Sequence, residues 1–180
     1  MSPDSLAAAG PLTSALAVVL MLAVWYDVSQ RRIPNWLTVG GALDALALRA
    51  VVGGQAVWVG LAGGFVGFAL GIVLFALGAM GAGDGKLLAT VGVCLGFDVL
   101  IRALPLIGAV GGVLALVVTA RNGTLIPTLL RFRDLLVHLV TFGHVGERRT
   151  LAMPGAVTVP YGVAVAMGAA WGWLTWGVSL

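Results

Sequence analysis

The sequence predicts an all-α, polytopic integral membrane protein of about six transmembrane helices, with an interfacial amphipathic helix in its last long polar loop. Composition is the first reason: of 180 residues, 60% are hydrophobic and only 9% are charged. Surface-to-volume scaling leaves a soluble domain of this size too little interior to hide that much apolar surface, so the surplus must face lipid. The second reason is periodic interruption: apolar runs alternate with short polar connections that carry most of the basic residues. With no sizeable soluble insertion, residues 1–180 read as one membrane-embedded domain.

The expected spans lie at about 10–27, 36–52, 57–79, 87–101, 104–120 and 157–178. Each approaches the ~20 apolar residues that cross a bilayer as a helix, or is a shorter stretch that local thinning accommodates. The first ends where Asp27 opens the polar stretch Asp27-Val28-Ser29-Gln30-Arg31-Arg32-Ile33-Pro34-Asn35. Pro34 ends or redirects that helix, and Asn35 is expected to cap the second. In the third, Gly60, Gly64, Gly67, Gly71 and Gly78 recur at helical spacing, a stripe that lets helix backbones approach closely. Asp98 and Arg102 interrupt the apolar stretch after Lys86, and Pro105 can open a new helix, so two short spans with a tight turn are expected there. Between Arg121 and Val157, Leu125, Leu129, Phe132, Leu136 and Leu139 share one helical face, with Arg131, Asp134 and His138 on another. That pattern predicts a helix lying on the membrane surface.

Six spans place Arg31, Arg32, Lys86, Arg121, Arg131, Arg133, Arg148 and Arg149 on one side and leave Arg49 and Arg102 on the other. Basic residues concentrate on the cytoplasmic face, so both termini are expected outside the cytoplasm and both Asp27 and Asp84 at cytoplasmic helix ends. The opening residues carry no Lys or Arg, so a cleaved signal peptide is not expected. The lone Cys94 excludes an intrachain disulfide and is read as a packing residue, and His138 and His144 are given no metal role. A net charge of +3, spread over loops, points to membrane orientation and not to nucleic acid.

Two carboxylates at corresponding depths of so apolar a chain call for a function. Asp84 lies in Gly81-Ala82-Gly83-Asp84-Gly85-Lys86, where glycines permit a sharp turn and let a peptide backbone come close to the carboxyl. Paired carboxyls that share one proton can activate water, which makes an aspartyl hydrolase the leading hypothesis. Asp44 falls eight residues past Trp36, on the order of 12 Å into the membrane. It is expected to be protonated and hydrogen-bonded to a neighbouring helix, without a catalytic part.

The segment Gly81-Ala82-Gly83-Asp84-Gly85-Lys86 resembles the Gly-x-Gly-Asp signature of membrane-embedded aspartyl peptidases. Asp27, Arg31, Ile33, Pro34 and Asn35 occupy the places of the Asp-x-x-x-Arg-x-Ile-Pro-Asn pattern of bacterial prepilin peptidases, and Pro160-Tyr161-Gly162 looks like a third segment of that family. The small size is most like the prepilin peptidases of tight-adherence (Flp) pilus systems. The resemblance implies an inner-membrane endopeptidase that cuts a short basic leader from pilin precursors at the cytoplasmic side. By motif position it makes Asp27 and Asp84 the catalytic pair, with Gly81, Gly83, Lys86, Arg31, Pro34 and Asn35 in supporting or substrate-binding places. No metal or organic cofactor is expected, and the implied partners are the pilin precursor and the bilayer. Larger relatives carry a zinc-binding insertion with Cys-x-x-Cys pairs, which Cys94 alone cannot supply; the N-methylation those relatives perform is not carried over. Which aspartate holds the proton stays open on sequence. An archaeal-type preflagellin peptidase or another Gly-x-Gly-Asp intramembrane protease is the alternative. A small proton-coupled transporter fits less well, because transport sites lie near the midplane on broken helices.

Overall fold

The computed structural model describes residues 3–77, 79–126, 129, 130, 133 and 161–176. Six helices account for nearly all of them, and no strand forms among the described residues: α1 (Pro3–Gln30), α2 (Asn35–Val52), α3 (Gly54–Ala76), α4 (Ala82–Leu95), α5 (Phe97–Arg121) and α6 (Tyr161–Trp176). Three of them, over Gly10–Gln30, Gly54–Ala76 and Phe97–Arg121, are long and apolar enough to cross a membrane on their own. The other three, α2, α4 and α6, are shorter, at 18, 14 and 16 residues. The greater part of the expected interfacial helix, together with Gly78, His138, His144 and Pro160, falls outside the described residues.

Short connections make neighbours antiparallel. A single residue, Gly53 at φ 137°, joins α2 to α3, and a single residue, Gly96 at φ 79°, joins α4 to α5. Both have a backbone that L side chains rarely adopt, so glycine sets these two corners. The turns at Gln30–Asn35 and Ala76–Ala82 therefore lie at one end of the bundle, with the end of α5 and the start of α6; Gly53 and Gly96 lie at the other.

The break between the fourth and fifth helices differs from the sequence expectation. It comes at Gly96 and not between Asp98 and Pro105, and Pro105 sits inside α5. A positive-φ glycine is a harder stop than a proline here, because neighbouring helices re-satisfy the backbone groups a membrane proline frees. The fourth helix also starts earlier than expected, at Ala82, so Asp84 belongs to its first turn and not to a preceding loop.

At the centre stands α4, which contacts each of the other five helices. Leu87, Leu88, Val91, Cys94 and Leu95 on it are all but inaccessible. Its most extensive partner is α3, and the glycine stripe is the reason. Gly63, Gly67 and Gly71 lie against the backbones of Gly92, Leu88 and Gly85, where any Cβ would collide with main-chain atoms. Such close approach supplies the dispersion contact that drives helix pairing in lipid. The opposite face of α3 carries Phe65, Phe68, Ile72 and Phe75, each about half exposed or more, as a lipid-facing side requires.

Candidate active site

The two motif segments meet at the end of the bundle that holds the Gln30–Asn35 and Ala76–Ala82 turns. Helix α1 carries Asp27 in its last turn and closes with Arg31 at φ 50°, whose amide donates to the Asp27 carbonyl at 3.0 Å. A left-handed residue is a common way to stop a helix, though glycine usually fills that place. The chain then runs through Ile33, which is buried, to Pro34, whose extended ψ of 142° makes it the N-cap of α2.

Asn35 does not cap α2 as expected, since no side-chain cap bond forms there. Its Oδ1 instead accepts a 2.8 Å hydrogen bond from Lys86 Nζ, which binds the first motif to the second. Lys86 is thus more than an orientation charge. Below this bond, Thr90 Oγ1 donates to the Thr38 carbonyl at 2.8 Å, and Gly83 faces Ile33, which an added Cβ there would just touch. Together these contacts fix the first turn of α4 against the turn that follows Asp27.

Asp84 is half-buried in that first turn, ahead of the apolar stretch that begins at Leu87. Gly81 N–H donates to its Oδ2 at 3.3 Å, the side-chain half of a capping box. Burial, and secondly the charge of Asp27, push its carboxyl up to about 7. The second cause places the two carboxyls within electrostatic reach of each other, one from α1 and one from α4.

Asp27 is only 6% exposed, and its Oδ2 has no hydrogen-bond partner among the described residues. The first turn of α6 presses on it. A Cβ at Gly162 would stand 2.6 Å from Oδ2 and 3.0 Å from the carboxyl carbon, so only glycine admits this approach. The backbone amides of Gly162 and Val163 face the same carboxyl. Tyr161, half-buried against Gly111 of α5, interacts electrostatically with Asp84. Three helices thus converge on one small volume that holds two carboxyls.

Other charged groups stand apart from it. Asp44 is exposed on α2 and lines a groove of about 450 Å³ between α1 and α2 with Val18, Leu22 and Trp36. Arg49 is buried at the opposite end of the bundle, where it donates to the carbonyls of Val93 at 2.9 Å, Cys94 at 3.0 Å and Ala56 at 3.1 Å. Sequence reasoning counted Arg49 only as an orientation charge. It also gave Gly162 no place in the site, although the Pro160-Tyr161-Gly162 match was the signal that pointed there.

A family model described as the type IV leader peptidase family matches residues 14–120, from α1 to the end of α5. Both motif segments lie within the match, and α6 lies outside it. No curated protein and no solved structure matches the chain.

Proposed function

The chain belongs to the type IV leader peptidase family, and from that membership we propose that it is an aspartic endopeptidase that removes the leader of pilin-like precursors at the cytoplasmic face of a bacterial inner membrane. The observation that carries this reading is the electrostatic pairing of Asp27 with Asp84 at one end of the helix bundle. The orientation rests on the basic residues toward that end, Arg31, Arg32, Lys86 and Arg121, which outnumber Arg102 and the buried Arg49 toward the other.

In this reading the pair holds one proton between two carboxyls and binds a water. The ionised carboxyl takes a proton from the water while its oxygen attacks the scissile carbonyl carbon. The protonated carboxyl donates to the carbonyl oxygen, whose negative charge would otherwise be stranded in a poorly solvated site. Collapse of the tetrahedral intermediate breaks the C–N bond. The amine leaves with the proton taken from water, and the dyad returns to its one-proton state. Gly81 and Gly83 leave room for an extended peptide, while Lys86, Asn35, Pro34 and Arg31 hold the two carboxyl-bearing segments in register.

The test is co-expression with a tight-adherence pilin precursor, with leader removal followed by gel mobility. Asp27→Asn and Asp84→Asn should each lower processing by about 10²–10⁴-fold or more, with membrane abundance unchanged. Near-parental cleavage by either variant would refute the pair.

A further inference from the structure

We infer that the N-terminus of α6, admitted by Gly162, holds Asp27 as the ionised member of the pair, which makes Asp27 the general base and Asp84 the proton-carrying general acid. The assignment rests on the peptidase reading above and settles the division of labour within it.

The two carboxyls are alike in chemistry but not in surroundings. Burial works against ionisation at both. What offsets it is unequal. Asp27 lies against the start of a 16-residue helix, whose first N–H groups have no intrahelical acceptors and carry partial positive charge. The amides of Gly162 and Val163 face its carboxyl, and Arg31 adds a full positive charge from the end of α1. Asp84 has the single amide of Gly81 at 3.3 Å and, among the described residues, no cation of comparable reach, because Lys86 is turned to Asn35. Its carboxyl is pushed up to about 7, which keeps it mostly protonated below neutral pH while Asp27 bears the charge.

The contact with α6 is built, not incidental. Asp27 is 94% withdrawn from solvent by its 6% exposure, and its Oδ2 is pressed where any side chain at position 162 would sit. A helix N-terminus is a place where proteins hold an anion, and the buried Oδ2, without a hydrogen-bond partner among the described residues, is aimed at this one. The other charged or titratable groups around the pair are Arg31 at the end of α1, Tyr161 on α6 and the partner carboxyl itself. On α2, Asp44 lies halfway along the helix and Arg49 at its far end. Gly162 is therefore a positioning residue, which acts on the reaction through Asp27.

The experiment is the pH profile of leader cleavage in proteoliposomes for the parent, Gly162→Ala and, as a control, Gly108→Ala, whose added Cβ meets open space. In the parent, the acid limb reports ionisation of Asp27 and the alkaline limb, near pH 7, loss of the Asp84 proton. Gly162→Ala should lower kcat by about 10–100-fold with KM little changed, since the reacting group is displaced. It should also raise the acid limb by about one pH unit and leave the alkaline limb in place. An acid limb that stays put, or an alkaline limb that moves in its stead, overturns the assignment. Infrared spectra of Asp27→Asn and Asp84→Asn, each subtracted from the double Asn variant, keep the idea testable if Gly162→Ala fails to fold. A protonated-carboxyl band at pH 6 should survive in Asp27→Asn and be absent from Asp84→Asn; the reverse pattern refutes it. Failure of the peptidase reading looks different: the parent itself would then release no leader, and single Asn variants that cleave like the parent would refute the pair.

Discussion

Asp84 ties the stability of the fold to the proton that the proposed reaction uses. Its carboxyl has an ordinary value of 3.8 and is raised to about 7 in the folded protein, with burial as the larger cause and Asp27 second. A group whose value rises on folding contributes stability that is full below 3.8 and is lost as pH climbs through 7. Asp84→Asn should therefore melt higher than the parent at pH 8 and show little difference at pH 4, even as it abolishes cleavage. With about 2–4 °C per kcal/mol, a gain of several degrees in detergent is expected, and equal melting at pH 8 would mean that the ionised side chain finds solvent. Such a cost is what a site that trades stability for function looks like. Asp27 and Asp84 were legible in the sequence because a carboxylate that interrupts an apolar run stands out against its neighbours. The Lys86–Asn35 hydrogen bond was not, since the two residues are far apart in the chain and each has an ordinary local explanation, a loop charge and a helix cap. Gly162 was seen only as part of a short motif; its role depends on which helix end meets Asp27, and no local pattern encodes that.

Between whole helices, the junction opposite the site is organised by one side chain. Arg49, in the last turn of α2, spends three N–H groups on Val93, Cys94 and Ala56 carbonyls. Val93 and Cys94 lie in the last turn of α4, where carbonyls have no intrahelical donor, and a guanidinium is suited to answer them. Gly60 and Gly96 leave the space it fills, as a Cβ at Gly60 would stand 2.6 Å from the Arg49 side chain. Arg49→Met should then lose about 3 kcal/mol or more, because hydrogen bonds to a charged donor contribute about 1.5–3 kcal/mol each and the stranded carbonyls stay buried. Arg49→Lys, with a charge but no fork, should fall between the two in melting temperature. A Met variant as stable as the parent would show that the carbonyls find other donors. The all-helical class and the α3 stripe were legible from apolar run length and glycine spacing. The α4–α5 boundary was not, because Gly96 is one glycine among 27 and nothing local marks it as one that takes positive φ.

For the molecule as a whole, the placing of both carboxyls at one end bears on where the proposed substrate would come from. Both carboxyls lie at the end of the bundle that carries the Gln30–Asn35 and Ala76–Ala82 turns and the end of α5, whereas Gly53 and Gly96 mark the other. In the proposed reaction a leader peptide would reach the pair from the first side, so the orientation of the bundle becomes part of that proposal. The charge pattern predicts that this side is cytoplasmic: Arg31, Arg32, Lys86 and Arg121 belong to it, whereas toward the other end Arg49 is held by internal carbonyls, which leaves Arg102 as the exposed cation there among the described residues. Because Cys94 is the chain's only cysteine and is buried, a Cys94→Ala background permits single reporters. Ser29→Cys and Asn122→Cys fall on the site's side and Gln55→Cys on the other, all three at exposed positions. A membrane-impermeant maleimide applied to intact inner-membrane spheroplasts should label Gln55→Cys alone, and all three only after permeabilisation. The opposite labelling would turn the carboxyls away from newly made precursors and leave the chain unable to meet them before export, whatever the chemistry of Asp27 and Asp84.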